Sequence, residues 1–262
     1  MVLAYSKGTP HQGISYMIAV LVTLYGRPDN VKKLIANWNE TNYGYSEMYF
    51  ALDSHDKEFD KIVKILEDNG YYKDFRYFVF NTVDVCPKFN AFYPIVKNDK
   101  YIGYLAGSDD IEWSKGFDKE FCEMIEFWAK KIGHRSMVLY GDDCVKGQIQ
   151  ATHWLATTEF LDSVGFFAPL GYMNHCFLDN WYMNLASSIG ALFYCPHIKM
   201  KHNCPLDGKT IEDDNWKKVY NQAYFENDHK EFQRLMQEQF VNTVVRLMEG
   251  VNNAKGRNPK VS

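Results

Sequence analysis

Two adjacent carboxylates, Asp109-Asp110, end the run Tyr104-Leu-Ala-Gly-Ser. Like charges on neighbouring residues repel, and at a strand end they cost stability unless a cation or a hydrogen-bond network compensates them. A divalent ion bridging a diphosphate would be such a compensator. The alternative is that Asp110 caps the following turn while Asp109 faces water. A second acidic pair, Asp142-Asp143 within Gly141-Asp-Asp-Cys144, also follows an apolar run and offers another place for a metal. Other chemistries lack a foothold. Gly26-Arg-Pro is a turn without the glycine and lysine spacing of a phosphate-cradling loop, and no Gly-x-Ser-x-Gly elbow is present.

The elements around these acids read as alternating strands and helices. Tyr16 to Thr23 is a continuous apolar run, the mark of a strand covered on both faces. The turn Tyr25-Gly-Arg-Pro-Asp-Asn30 follows, and Val31, Leu34, Ile35 and Trp38 then recur at helical spacing. Glu47 to Asp53 is a second strand, followed by a helix carrying Phe59, Ile62, Val63, Ile65 and Leu66 that stops at Asn69-Gly70. Phe75 to Phe80 is a third strand, Phe89 to Val96 a helix, and Tyr101 to Ala106 a fourth strand leading into the acidic pair. Beyond it lie a helix from Phe117 to Lys131, a strand from Ser136 to Tyr140, a helix from Thr157 to Val164 and a strand near Leu192 to Tyr194. Alternation of this kind predicts parallel pairing with ligands outside the carboxyl ends of the strands. Thr23, Asp53 and Asp109/Asp110 should therefore be neighbours. The predicted class is α/β, a mostly parallel central sheet flanked by helices, over residues 14–205. A helical C-terminal extension occupies 206–250, with apolar residues at Tyr220, Tyr224, Phe232, Leu235 and Met236 among others, and 1–13 and 251–262 read as flexible ends.

Composition narrows the function. The chain of 262 residues has a net charge of −4, so no overall field would hold nucleic acid or an anionic membrane. A local basic face built from Lys57, Lys61, Lys64, Lys73 and Arg76, or from Lys255, Arg257 and Lys260, could offset that. Aromatic residues at 16% suit either stacking on bases and sugar faces or a core filled with large rings. Six scattered cysteines show neither zinc-cage nor disulfide-framework spacing, and they read as reduced. The start lacks the pattern of a signal peptide, and Met17 to Leu24 is one strand long rather than a span of roughly 20 residues. A cytoplasmic protein with no membrane segment is expected.

In order and spacing these pieces resemble the nucleotide-binding half of GT-A glycosyltransferases, most closely the large inverting family of bacterial and phage enzymes. The resemblance rests on Thr-Leu-Tyr-Gly-Arg-Pro-Asp-Asn after the first strand, Ala-Leu-Asp53, Cys-Pro-Lys88-Phe-Asn90 and Tyr-Leu-Ala-Gly-Ser-Asp109-Asp110-Ile-Glu-Trp. It implies a nucleotide-sugar donor, a UDP-sugar in most relatives, with Mn²⁺ or Mg²⁺. By position Thr23 and Asp53 would hold the nucleoside, Lys88 would lie near the donor, and Asp109 would belong to the donor-binding acidic cluster. Asp110, matching the last acid of that cluster, would hold the metal, and Ser108 stands where the first acid is found. Further on, His153 to Phe167 is similar to the acceptor-side segment, and Phe177-Leu-Asp179-Asn180-Trp181 lies where the family carries its general base, which implies that role for Asp179. Pro196 to His202 resembles the strand ending in a metal-binding histidine, and His175, His197 and His153 have no assigned place. Trp113, Trp154 and Trp181 are candidates for an acceptor cleft. The acceptor implied is a glycan, a small molecule or a hydroxylated DNA base, the last of which would have to be unstacked. Two other readings fit the same pattern: an inactive nucleotide-sugar binding module and a sugar-phosphate nucleotidyltransferase.

Overall fold

The computed structural model of the chain describes residues 16–69, 75–82, 84–171, 176–207, 212–219 and 221–257. The elements in order are β1 (Met17–Thr23), α1 (Pro28–Thr41), β2 (Ser46–Asp53), α2 (Phe59–Asp68), β3 (Phe75–Phe80), α3 (Val85–Val96), β4 (Tyr101–Gly107), β5 (Ile111–Trp113) and α4 (Phe117–Ile132). They continue with β6 (Val138–Asp142), β7 (Trp154–Thr157), α5 (Thr158–Val164), α6 (Leu178–Ser188), β8 (Leu192–His202), α7 (Asp214–Val219), α8 (Gln222–Glu238) and α9 (Phe240–Arg257).

β1 explains the layering. Its residues alternate between two faces, because successive side chains on a strand point opposite ways. Met17, Ala19 and Leu21 join one apolar core with Phe89 and Phe92 of α3, Leu161 of α5 and Trp181 of α6. Ile18, Val20 and Val22 join the other, with Leu34 of α1, Ile62 of α2 and Phe121 of α4. The strand is covered on both faces, as its unbroken apolar run predicts. The strand order is β3-β2-β1-β4-β7-β6-β8-β5. β3, β2, β1 and β4 are mutually parallel, and β6 pairs with β8 in the same sense.

The alternation rule fails in the second half. β7 pairs antiparallel with both β4 and β6, and β5 pairs antiparallel with β8. Both strands are too short, at four and three residues, to leave a periodic signal in sequence. The expected strand near 192–194 extends to His202, and the reason is a bulge: the register with β6 jumps from Gly141↔Cys195 to Asp142↔Lys199. At that jump the backbones nearly touch. A Cβ on Gly141 would lie 2.4 Å from the Ile198 carbonyl oxygen. Gly141→Ala is therefore expected to destabilise the protein by about 1–3 kcal/mol through overpacking. It should also displace the far half of β8; chemical denaturation and a changed proton NMR signal of the His202 ring would report the two effects.

The C-terminal helices share the core of the α/β body. Leu235 of α8 and Leu247 of α9 are buried in the cluster built on β1, β2 and β4. Gly250 faces Ser163 of α5 closely enough that a Cβ would stand 2.2 Å from its Oγ. The expectation of a flexible end from 251 is corrected for its first part: α9 runs on to Arg257, with Val251 buried, because the same apolar stripe continues. Residues 1–13 and 258–262, together with Tyr220, Lys73 and His175, lie outside the described residues.

Candidate active site

The carboxyl ends of β1 and β4 open into a cleft of about 890 Å³. Thr23 and Arg27 line it from the β1–α1 side, and Asp109, Asp110, His202 and Asp179 line it as well. The group of Asp109, Asp110 and His202 is assembled by β5. Because β5 begins one residue after Asp110 and pairs Ile111 with His202, the end of β8 is brought against the acidic pair. Two backbone bonds fix it there: His202 N–H donates to the Asp143 carbonyl at 3.0 Å and Asn203 N–H to the Asp110 carbonyl at 2.8 Å. His202 Nε2 then stands 3.4 Å from Asp110 Oδ1. The Ser108 hydroxyl also donates to Asp110 Oδ1, so the residue two positions before Asp110 supports it.

Arg27 supplies the compensating charge. Its Nη1 lies 3.2 Å from both Asp109 Oδ1 and Asp110 Oδ2. Its Nε and Nη2 form a two-pronged contact with Asp213 at 2.5 and 2.9 Å. Sequence reasoning treated Gly26-Arg-Pro as a turn and missed this arginine; a cation four residues past the end of β1, in a chain with an acidic pair just past the end of β4, was the available signal.

Burial pushes the Asp109 carboxyl up to about 7, with the charge of Asp110 adding to the rise and Arg27 opposing it. Burial acts the same way on Asp110, but the hydrogen bond and charge of His202, the Ser108 hydroxyl and Arg27 outweigh it and hold Asp110 well below the carboxylate range. His202 is drawn down by burial, yet its bonds to Asp110 and Cys204 prevail and raise it to about 10. His153, only 6% exposed, goes the other way, lowered to about 3 by burial and by the neighbouring His202. The two rings meet edge to face, 4.8 Å between centroids. The folded pKa of His202 exceeds its unfolded value, so its contribution to stability is complete below pH 6.5 and is lost as pH rises through 10. The raised Asp109 acts in the same direction, losing its contribution as pH rises through 7. The metal-free protein is thus expected to melt several degrees lower at pH 9.5 than at pH 6, and His202→Gln should flatten the upper part of that slope.

Asp179 sits in the first turn of α6, its carboxylate accepting from Gln150 Nε2 and from the Asn180 backbone N–H. Burial raises it above the ordinary carboxylate value, against those two bonds. The cleft wall beside it includes Phe177, Trp216, Tyr224 and Phe225. The last three belong to the C-terminal extension, for which the sequence offered no role beyond packing; aromatic residues in an otherwise polar stretch were the clue. Of the three tryptophans expected at an acceptor cleft, Trp154 lines it, whereas Trp113 and Trp181 are core residues.

Two expected donor residues do not reach the cleft. Asp53 ends β2 but is 0% exposed, because the turn after it folds over: His55 N–H donates to its Oδ1 at 2.8 Å, while Oδ2 is buried without a partner. Lys88 is buried on α3, where burial lowers its pKa against the charges of Asp53, Asp56 and Asp84. The second acidic pair is a loop clasp. Asp142 pairs with Lys199 at 2.6 Å. Asp143 Oδ1 accepts the backbone N–H groups of Val145, Lys146 and Gly147, and Oδ2 accepts the Thr152 hydroxyl. His197 is exposed on β8, away from these groups.

The residues present fit a divalent cation shared with a ligand. A positive group of the chain's own already lies against Asp109 and Asp110, a carboxylate and an imidazole face each other across 3.4 Å, and His153 Nε2 is buried with no partner. Among the described residues no three His, Cys, Asp or Glu side chains form a metal cage. Asp110 and His202 would supply the one or two protein ligands that Mg²⁺-like ions take, phosphates and water completing the shell.

No known family model matches the sequence, and no curated protein matches it. Solved structures do. The fold is similar to the mannosyltransferase PcManGT from Pyrobaculum calidifontis in complex with GDP-Man and Mn²⁺, at a TM-score of 0.59 and 8% identity over 98% of this chain and 77% of that one. It is also similar to TarS 1-349 of S. aureus, at a TM-score of 0.52 and 14% identity over 90% and 81% of the two chains. The fold is α/β with a mostly parallel sheet, of the GT-A glycosyltransferase kind. At these identities the likeness concerns the fold, and the chemistry must be argued from the site.

Proposed function

We propose that this protein is a metal-dependent glycosyltransferase that moves a sugar from a nucleoside diphosphate donor, a UDP-sugar first among them, to an acceptor hydroxyl with inversion. The observation that carries this reading is the meeting of Asp110 and His202 at the strand ends, in a cleft that Asp179 also lines. The fold neighbours, solved with GDP-Man and Mn²⁺ in one case and with UDP in another, support it.

In this reading Thr23 borders the nucleoside, and the partnerless Oδ2 of Asp53 is available to a base or ribose donor once the 54–56 turn opens. Lys88 acts as a buried counter-charge to Asp53, Asp56 and Asp84 behind the donor site. Asp110 and His202 hold Mn²⁺ or Mg²⁺, with Asp109 in support; when bound, the ion supplies charge neutralisation to the leaving diphosphate. Asp179 takes the proton of the acceptor hydroxyl as its oxygen bonds to the anomeric carbon, and the bond to the diphosphate breaks with its electron pair leaving on the diphosphate oxygen. Gln150 orients the carboxylate for that transfer. The aromatic wall of Phe177, Trp216 and Phe225 suits the flat face of a sugar ring. A glycan is favoured over a DNA base, since the basic face read in the sequence is partly committed: Lys61 pairs with Glu58 and Arg76 lies over the Tyr49 ring. All six cysteines are free, and no helix among the described residues is long and apolar enough to cross a membrane.

The test is a screen of nucleotide sugars with Mn²⁺, scored by slow release of the nucleoside diphosphate and then by transfer to glycans, small molecules and hydroxymethylated DNA. Release from one donor, abolished by EDTA, is expected. Binding of donor without release or transfer would identify a binding module instead, and pyrophosphate exchange with a sugar phosphate would identify a nucleotidyltransferase.

A further inference from the structure

The cleft already contains a cation at the place where the proposed function needs a foreign one. Arg27 contacts the acidic pair with a single nitrogen, Nη1, shared between Asp109 and Asp110 at 3.2 Å each. Its remaining donors, Nε and Nη2, form the two-pronged grip on Asp213 at 2.5 and 2.9 Å. Two-pronged guanidinium–carboxylate contacts are the stronger and more directional kind. The arginine is thus anchored through Asp213, just ahead of α7, and only lightly engaged with the acids. A cation entering between Asp110 and His202 must open the contact between those two side chains and, of the arginine, displace Nη1 alone. The partnerless, buried Nε2 of His153 in the same cleft is a second sign that the polar groups here are arranged for something the chain does not itself provide.

We propose that Arg27 is an exchangeable counterion and the donor's diphosphate-positioning residue. In the ligand-free chain Nη1 neutralises Asp109 and Asp110. Were a divalent ion to take those carboxylates, Nη1 would lose its partners while Nε and Nη2 stay held by Asp213, and its N–H groups would be free to donate to a non-bridging oxygen of the diphosphate. No bond is made or broken; one cation replaces another at the acids, and the displaced one acquires a new anion. The consequence is linkage: metal alone binds weakly because it must displace Arg27, and metal with nucleoside diphosphate binds tightly because the displaced guanidinium is paired again. Asp213 makes the C-terminal segment part of the donor site. This inference rests on the metal-dependent reading above.

The experiment measures Mn²⁺ affinity by electron paramagnetic resonance of the free ion, without nucleotide and with saturating UDP or GDP, corrected for Mn²⁺ bound by the nucleotide in solution. In the wild type the nucleotide should tighten Mn²⁺ binding at least about tenfold. Arg27→Gln should bind Mn²⁺ alone about tenfold more tightly than wild type and lose most of the gain from nucleotide. Arg27→Lys keeps a positive charge but cannot grip Asp213 and both acids together; it should bind Mn²⁺ alone about as the wild type does and show a reduced nucleotide gain. This second variant covers the case in which the glutamine variant fails to fold. Unchanged Mn²⁺ affinity and an intact nucleotide gain in the variants would overturn the role of Arg27 while leaving the metal site standing. Failure of the wild type to bind Mn²⁺ even with either nucleotide would overturn the metal-dependent reading and this inference with it.

Discussion

Asp110→Ala is expected to lower donor turnover by at least about 10³-fold, the scale of the several kcal/mol a Lewis acid contributes to a leaving diphosphate. The reasoning is local. Asp110 is the carboxylate that faces the imidazole of His202, and it stays ionised far below neutral pH despite its burial. Removing it leaves Asp109 as the one acid of the pair, and its Oδ1 is held by Arg27 rather than facing His202. The variant should also lose the charge partner that raises His202. Steady-state turnover in saturating Mn²⁺ measures the first effect, and proton NMR titration of the His202 ring measures the second. A variant that loses turnover yet retains the raised His202 would contradict the pairing on which the site is built.

Asp179→Asn is expected to lower kcat by about 10²–10⁴-fold, the range for removing a general base, with a small change in donor KM. Its pH dependence distinguishes the base from a merely structural aspartate. Burial raises the Asp179 carboxyl above its ordinary value, and a base acts only when deprotonated. The wild-type kcat should therefore fall as pH drops through that raised value, on a limb lying above the usual carboxylate range. In the asparagine variant the residual rate should lack the limb. Asparagine keeps the size of the side chain and its acceptor oxygen for Gln150, so the contrast reports the proton rather than the fold.

Much of this was legible in the residues, for identifiable reasons. β1 declared itself because a strand buried on both faces is apolar throughout, and Asp109-Asp110 declared itself because adjacent carboxylates demand an explanation. What escaped was whatever depends on contacts distant in sequence. Whether β7 pairs parallel or antiparallel cannot be read from four residues, and that choice sets where β6 and β8 stand. The bulge that carries His202 to Asp110 depends on Gly141 being bare opposite the Ile198 carbonyl, a contact 57 positions away. Arg27 looked like turn punctuation because its three partners, Asp109, Asp110 and Asp213, lie 82 to 186 residues further on. Asp53 and Lys88 were expected at an open donor site, and the turn at 54–56, built on hydrogen bonds to Asp53 itself, covers the acid instead.

The central claim is that a divalent ion and a nucleoside diphosphate meet between Asp110 and His202. The most direct measurement is anomalous diffraction from crystals of the protein grown with Mn²⁺ and UDP. The account predicts one strong manganese peak within bonding distance of Asp110 and His202, touching the diphosphate, with Nη1 of Arg27 moved off the carboxylates. A peak at Asp142-Asp143, or nucleotide bound with no manganese at Asp110, would contradict it.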